Sequence, residues 1–348
     1  MCSGVASAAT LATAFGGDHL SEFVTLPKML VAAAFIGVLA LVNFRGIKES
    51  VRLILGLTAI ELTGLALVVL IGATFLLDGG GDPARAFEFK SGDAVPLAIL
   101  SGASLAFFAL IGFEDSVNVA EETKDPSRVF PTALFTGLAI ALGIYILVTL
   151  VAGMAVPTDE LAGSDGPLLE VVQLGPLAMN TKVFSAIALF ALANGALINM
   201  IMASRLIYGM AQQGIVPRQM GGVHGERRTP WVAIIFVAAL ALILCALGDL
   251  ESLADTTVLL LLCVFVSVNI AVLLLRRDRV EHDHWRAPTI LPVLGVAACL
   301  ALIVQKAVED TIIFAYAGGL IALGVVLCLI SRSMAGPARE LDPAKLVD

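Results

Sequence analysis

Two adjacent carboxylates lie close to a glycine inside an apolar stretch of this sequence. Gly112, Glu114 and Asp115 interrupt the first half of Leu105–Pro131, which reads LAFFALIGFEDSVNVAEETKDPSRVFP. Charged side chains and unpaired peptide groups are strongly destabilised at membrane depth unless they face protein or water. The pattern therefore predicts a membrane helix that is broken at Ile111–Glu114 and turns its free polar groups toward a solvated cavity.

A helix that ends at such a break can hold an ammonium group. Its last carbonyl groups have no intrahelical partners, and the negative end of the helix dipole lies at the same place. Secondary transporters hold their cargo at broken helices of this kind. We predict that Phe107, Phe108, Ala109, Ile111, Gly112, Phe113 and Glu114 contact a small ligand. Two alternatives stay open: Glu114 and Asp115 lie at the water-lined edge of the cavity without ligand contact, or Asp115 has a structural or gating role.

Glu61 is a second acidic group inside an apolar span, LTAIELTGLALVV. An apolar environment disfavours the charged form of a carboxyl group, so proton coupling through Glu61 is one interpretation. The other is a carboxyl group that is hydrogen-bonded to Ser or Thr hydroxyls across the bundle. Asn194 and Asn199 are also polar groups at membrane depth, and for them we predict hydrogen bonds between helices.

The composition indicates an integral membrane protein. Of 348 residues, 59% are hydrophobic and 14% are charged, with a mean hydropathy of +0.96, whereas soluble domains are about 45–50% apolar and about 25% charged. The sequence has no basic stripe for nucleic acid, and we expect no cofactor, no metal site and no enzymatic activity. We interpret the five cysteines as small buried apolar residues rather than disulfides or metal ligands.

Ten apolar stretches have about the length needed to span a bilayer. They are approximately 2–17, 28–44, 53–77, 95–120, 131–156, 183–211, 231–248, 254–275, 288–307 and 311–331. If residue 1 is cytoplasmic, 16 of the 21 basic residues fall on the cytoplasmic side, as the positive-inside rule requires. We therefore predict an all-α, multi-pass protein of the cell membrane, surrounded by lipid, with both termini in the cytoplasm.

The broken segment leads into a charged turn. Glu121, Glu122, Lys124 and Arg128 lie there, on the predicted cytoplasmic side. One interpretation is a gate of ion pairs that opens when the ligand is released. The other is a solvated turn, in which exposed pairs contribute about 0–1 kcal/mol each. We favour the gate.

Three stretches resemble the amino acid–polyamine–organocation (APC) permeases. FFALIGFEDSVNVAEETKDPSRVFP is similar to their sixth helix and the loop that follows it. ANGALINMIMASRLIYGMAQQGIVPRQMGGVHGERRTPWVA resembles the eighth helix, its loop and the start of the ninth, and LVNFRGIKESVRL the turn between the fourth and fifth helices. The resemblance implies a partial LeuT-like fold of five-plus-five inverted repeats followed by two C-terminal helices.

Within a single membrane domain of residues 1–348, this resemblance assigns four regions. Residues 1–77 would be the remainder of the first repeat, 95–275 the second repeat, 288–331 two accessory helices and 332–348 a cytoplasmic tail. In relatives an aromatic residue at the position of Phe107 or Phe108 closes over the cargo, whereas packing against neighbouring helices is the alternative here. Some relatives carry a lysine near the position of Glu61, and the glutamate departs from that pattern.

The resemblance also implies that the family's first two helices and the start of the third lie outside this sequence, which we interpret as a truncation. The family's first helix contributes half of the cargo site. We expect an intact version to transport an amino acid or a related amine by alternating access, coupled to protons or to exchange. An inactive fragment is an open alternative, and a membrane-embedded enzyme that uses Glu61, Glu114 and Asp115 is a disfavoured one.

Overall fold

The computed structural model describes residues 1–45, 47–88, 95–114, 116–117, 125–164, 166–276, 287–309 and 311–334. These ranges form thirteen α-helices and contain no β-strand. The helices are α1 Cys2–Phe15, α2 Asp18–Ser21, α3 Lys28–Arg45, α4 Ile47–Leu77, α5 Val95–Leu110, α6 Pro126–Ala155, α7 Thr158–Gly163, α8 Pro167–Val172, α9 Thr181–Gln212, α10 Trp231–Leu247, α11 Leu250–Leu275, α12 Ile290–Glu309 and α13 Ile312–Met334.

Each of the ten predicted apolar stretches coincides with one of these helices. Seven helices of the described ranges are long and apolar enough to cross a membrane, namely α3, α4, α6, α9, α11, α12 and α13. The other three, α1, α5 and α10, are shorter. The prediction of an all-α membrane protein is confirmed, whereas the division into repeats stays a prediction. Helix α5 covers the first part of the stretch predicted over residues 95–120 and ends at Leu110, next to the predicted break at Ile111–Glu114.

The short helix α1 lies at the centre of the bundle. It packs against α3, α9, α10 and α11, and Val5, Ala6 and Ala9 on it are completely buried. Small side chains let helix backbones approach closely in a membrane. At Gly4 an added Cβ would lie 3.6 Å from the Cβ of Ala203 on α9, at van der Waals contact. The Ala-, Ser- and Thr-rich sequence of α1 therefore suits a buried helix rather than one that faces lipid.

A second group of buried apolar residues joins α4, α6 and the short helix α8. Val68 and Ile71 of α4 pack there with Ala152 of α6 and with Val171 and Val172 of α8. Outside these groups, many large apolar side chains are exposed, such as Leu41 and Leu55 at 66% each. Since the chain belongs in a bilayer, this exposed apolar surface is the surface that lipid covers.

Polar contacts fix the register between the helices. Asn43 of α3 donates its amide to the hydroxyl of Ser204 on α9 at 3.2 Å. Lys306 of α12 pairs with Asp255 of α11 at 2.8 Å, and both side chains are largely buried. Removing one partner of such a pair leaves an uncompensated charge, which costs about 3–5 kcal/mol. The pair therefore holds α12 against α11.

The five cysteines are free thiols. Cys299 is buried as predicted, and Cys2, Cys245 and Cys328 are partly buried. The prediction of burial is wrong for Cys263, which is exposed. Its position on α11 accounts for the difference, because an apolar side chain on the outer surface of a membrane helix faces lipid and needs no protein cover.

Replacing Gly72 with alanine is expected to destabilise the bundle. An added Cβ at Gly72 on α4 would overlap Cγ1 of Val151 on α6 and lie 3.3 Å from Cγ1 of Val171. Overpacking of this kind costs about 1–3 kcal/mol. The measurement is the thermal unfolding midpoint of the purified protein in detergent. Gly102→Ala on α5 is the matched control, because nothing lies within 4 Å of an added Cβ there, and equal midpoints for the two variants would contradict the packing described for α4 and α6.

Candidate functional site

Helix α5 ends at Leu110 in the middle of an apolar segment. Ile111 and Gly112 form a turn, and the amide of Ile111 donates to the carbonyl of Phe108 at 3.2 Å. Gly112 has a φ of +123°, which L-residues with a side chain rarely adopt, so glycine is needed here to turn the chain. The structure therefore interrupts the helix at the position that the sequence predicted, next to Gly112.

The end of α5 exposes acceptors. A helix that stops leaves its last carbonyl groups without amide partners from the next turn, and these groups carry the partial negative charge of the helix dipole. Phe113, Glu114, Ser116 and Val117 have 3₁₀-type geometry, and the hydroxyl of Ser116 donates to the carbonyl of Phe113. The carbonyl groups of Ala109 and Leu110 lie at this end of the helix.

The carboxylate of Glu114 stabilises the break itself. Its Oε2 accepts a hydrogen bond of 2.8 Å from the backbone amide of Gly112. Glu114 therefore closes a small ring over the turn and places a negative charge beside the end of α5. Asp115 lies outside the described residues, so the structure leaves its predicted role untested.

A cavity of about 200 Å³ adjoins the break. Ile111 and Glu114 line it on one side. The facing helices contribute the polar side chains Ser3 and Ser7 of α1, Asn199 of α9 and Thr257 of α11. Ala109 and Phe113 instead face a separate cavity of about 460 Å³ between α5 and α6, which Ile111 also lines. The break thus lies between two cavities, and the smaller one has more polar side chains in its walls.

Aromatic packing holds the break in place. Phe265 of α11 stacks on Phe113 with ring centroids 5.5 Å apart, and it meets Phe107 edge to face at 5.8 Å. Phe108 packs against a small buried cluster that contains Val258 and Leu262 of α11. Phe107 and Phe108 thus pack against α11, which was one of the two interpretations of these residues. Phe265 was not among the predicted residues, because its distance in sequence from α5 gives no signal of a ring contact.

Glu61 lies apart from the break. It is half-buried on α4 and lines a cavity of about 600 Å³ that contains none of the predicted ligand-binding residues. The amide of Asn194 on α9 donates to Thr58 at 3.1 Å and, over a longer 3.4 Å, to Oε2 of Glu61. Glu61 thus has an amide partner rather than the hydroxyl partner of the second interpretation.

The two predicted asparagine bonds differ. Asn194 makes the predicted contact between helices, through Thr58 and Glu61 of α4. Asn199 does not, because its amide donates to the carbonyl of Gly195 one turn earlier in the same helix at 3.0 Å. The Oδ1 of Asn199 points toward α1. A Cβ added at Gly4 of α1 would lie 3.8 Å from this oxygen.

The predicted cytoplasmic gate lies mostly outside the described residues. Glu121, Glu122 and Lys124 are in that part of the chain. Arg128 is described in the first turn of α6, and its amide donates to the carbonyl of Asp125 at 3.2 Å. Asp125 has a positive φ of 51°, so the chain turns sharply into α6. The ion pairs of the gate stay a prediction.

Comparison with known proteins places the chain in a family. The profile of the family described as "Amino acid permease" matches residues 1–329. The branched-chain amino acid permease BcaP of Bacillus subtilis (strain 168) is 26% identical over 277 residues, which are 78% of this chain and 58% of that protein. The low-affinity putrescine importer PlaP of Escherichia coli (strain K12) is 27% identical over 336 residues, 91% of this chain and 72% of that protein.

A more distant organism supplies a further relative. The cystine/glutamate transporter of Pongo abelii is 25% identical over 318 residues, 88% of this chain and 62% of that protein. The chain therefore spans between somewhat over half and about three quarters of the length of these relatives. The family profile covers nearly the whole chain, including the broken end of α5. This multi-pass membrane protein belongs to the amino acid permease family.

Proposed function

We propose that this protein transports an amino acid or a related amine across the membrane by alternating access, and that the break after α5 holds the cargo. The observation that carries the proposal is the end of α5 at Leu110, beside a cavity that Ser3, Ser7, Asn199 and Thr257 help to line. The names of the relatives, which include a branched-chain amino acid permease and a putrescine importer, support the same cargo class. They name transporters and so favour transport over a membrane-embedded enzyme.

The ammonium group is the part of the cargo that this site suits. Amino acids and polyamines share an ammonium group, and a cation is stabilised at the carboxyl end of a helix by typically about 0.3–1 kcal/mol and by up to about 2 kcal/mol when partly buried. The carboxylate of Glu114 adds a second negative charge, since one of its oxygens accepts from Gly112 at 2.8 Å. The ammonium group would then lie between the end of α5, Asn199 and Thr257.

The aromatic residues around the break serve this site in the proposal. Phe107 and Phe113 are held by Phe265, so a movement of α11 relative to α5 would move both rings. Phe107 and Phe108 would close over the cargo, and Glu121, Glu122, Lys124 and Arg128 would form the cytoplasmic gate.

The orientation and location are part of the proposal. We place the protein in the cell membrane with both termini in the cytoplasm. The support is the strong bias of lysine and arginine toward one set of connections between the spans, since such a bias marks the cytoplasmic side.

Glu61 is the proposed coupling group. It is half-buried on a membrane helix, and its partner is the neutral amide of Asn194 rather than a cation. A carboxyl group in such surroundings can exchange a proton as the protein changes conformation. Exchange of one cargo molecule for another is the alternative mode, and an inactive fragment remains the alternative function, since the sequence spans only part of its relatives.

Replacing Gly112 with alanine is expected to weaken cargo binding. Alanine at a φ of +123° carries a strain of about 1–3 kcal/mol, and relaxation of the turn would reposition both the end of α5 and Glu114. Equilibrium binding of radiolabelled L-leucine and putrescine to the purified protein is the measurement. We expect the wild type to bind at least one of the two probes, and Gly112→Ala to bind that probe about tenfold more weakly or worse, which corresponds to about 1.4 kcal/mol or more.

The control for this experiment is Gly102→Ala. It changes the same residue type on the same helix, at a position where nothing lies within 4 Å of the new methyl group, so it should bind like the wild type. Wild-type affinity in Gly112→Ala, or binding of neither probe by the wild type, would remove the break as the cargo site.

Replacing Glu61 with glutamine is expected to abolish the response of uptake to a pH gradient. Glutamine has the shape of a protonated glutamate but cannot exchange a proton. Proteoliposomes with labelled cargo outside are the assay, and Glu170→Gln on the exposed surface of α8 is the control. Unchanged proton-driven uptake in Glu61→Gln would exclude the coupling role, and a wild type without saturable uptake would favour the inactive-fragment alternative.

A further inference from the structure

A cavity of about 600 Å³ lies away from the break after α5. Its walls come mainly from α1, α4 and α9, with contributions from α2, the start of α3, α8, the end of α10 and the turn between α10 and α11. It is larger than either cavity at the break and shares no lining residue with them. Four acidic or basic side chains, His19, Lys28, Glu61 and Asp249, line it together.

Two of these four groups already have structural roles. Asp249 caps α11, because its Oδ1 accepts from the amide of Ser252 at 2.9 Å and its Oδ2 from the hydroxyl of the same residue at 3.2 Å. The Nδ1 of His19 lies 3.5 Å from the hydroxyl of Ser185 on α9. Neither group is free to provide the main contact for a bound molecule.

The other two groups, Glu61 and Lys28, have opposite charge and few polar contacts among the described residues. Oε2 of Glu61 receives a hydrogen bond of 3.4 Å from Asn194. Lys28 is exposed at the start of α3, and the ion pair found in the described part of the chain is that of Lys306 with Asp255, not one of Lys28. The cavity thus presents a carboxylate and an ammonium group that have no charged partner of their own among the described residues.

A buried acceptor lies next to Glu61. The side chain of Asn194 is only 4% exposed, and its Oδ1 has no hydrogen-bond partner within the described ranges. A buried acceptor without a partner costs about 1–3 kcal/mol in general. Asn194 itself does not line the cavity, so a ligand's ammonium group there would donate to the carboxylate of Glu61, which Asn194 holds through its amide.

The rest of the wall is apolar. Leu65 of α4, Leu168 of α8, and Phe184 and Ile187 of α9 line the cavity. Pockets that bind small molecules typically combine such walls with a few placed polar groups, at volumes of about 300–1,000 Å³. An aliphatic side chain would be covered there while the charged ends of the ligand reach Glu61 and Lys28.

We propose that this cavity is a second binding site, for a zwitterionic amino acid with an apolar side chain. The ammonium group lies on Glu61, and the carboxylate is directed toward Lys28. Binding at this site does not depend on the cargo site after α5. Its consequence for transport rests on the proposed function, because a ligand that occupies Glu61 competes with the proton proposed for coupling.

Cys245 lines this cavity, and its thiol donates to the carbonyl of Ala9 at 3.5 Å, so its reaction with a thiol reagent can report on occupancy. In a background with the other four cysteines replaced by alanine, we expect N-ethylmaleimide to label Cys245 and L-leucine to protect it. Isoamylamine and 4-methylpentanoate, which each lack one of the two charged groups of leucine, should protect only at concentrations about tenfold higher or more. A second background retains Cys263 alone, which is exposed on α11 and does not line the cavity, and its labelling should not respond to leucine.

Charge variants then locate the two ends of the ligand. Lys28→Gln should raise the half-protecting concentration of leucine about tenfold while leaving that of isoamylamine unchanged. Glu61→Gln should also raise the half-protecting concentration of leucine, but it should leave that of 4-methylpentanoate unchanged. Lys182→Gln, on the exposed start of α9 and outside the cavity, is the matched control and should behave like the parent protein.

The outcome also separates this site from the one after α5. Protection of Cys245 that persists in Gly112→Ala and is weakened in Lys28→Gln and Glu61→Gln supports the second site, whatever the fate of the cargo site. Protection that is lost in Gly112→Ala and unaffected by the two charge variants would overturn it. Absence of protection by leucine would do the same, as would a thiol at Cys245 that does not react without ligand.

Discussion

In a bilayer, an α-helix can stop only where something other than lipid satisfies its last carbonyl groups. This constraint explains most of what surrounds α5. The helix ends at Leu110, Gly112 turns the chain with a φ of +123°, and Glu114 accepts the amide of Gly112. Serine, asparagine and threonine side chains of three other helices line the adjoining cavity. The break is therefore held locally by Glu114, and the polar side chains around it are the ones that the proposed function assigns to the cargo.

Those polar groups can reach the break because the centre of the bundle is made of small residues. Ala6 and Ala9 of α1 are completely buried, and α1 packs closely against α9 and α11. Larger residues at these positions would separate the three helices that face the break. The small side chains of α1 bury little apolar area for the length of the helix. The larger side chains of α9, α10 and α11 supply most of the apolar burial around it.

The sequence predicted the helices well and their contacts less well. Hydropathy measures transfer into lipid, so each of the ten apolar stretches coincides with a helix, and the unusual Gly112 marked where α5 ends. Phe265 was missed because a ring contact between helices leaves no local pattern. For Glu61 the sequence predicted a hydrogen-bond partner across the bundle but not its type. The partner is the amide of Asn194 rather than a hydroxyl group. That Glu61 lines a different cavity from the break depends on how α4 and α9 cross, which no local pattern specifies.

The most direct test asks whether the end of α5 faces water in the membrane. Single cysteines at Ile111→Cys and Leu105→Cys, in a protein without its native cysteines, can be reacted with a charged, water-soluble thiosulfonate in liposomes. Ile111 lines both cavities at the break, whereas Leu105 is 65% exposed on the outer surface of α5. A break that faces water predicts modification at position 111 at least about tenfold faster than at position 105, because charged reagents are excluded from lipid. Equally slow reaction at both positions would show that α5 continues through lipid, and it would contradict a solvated break at Gly112.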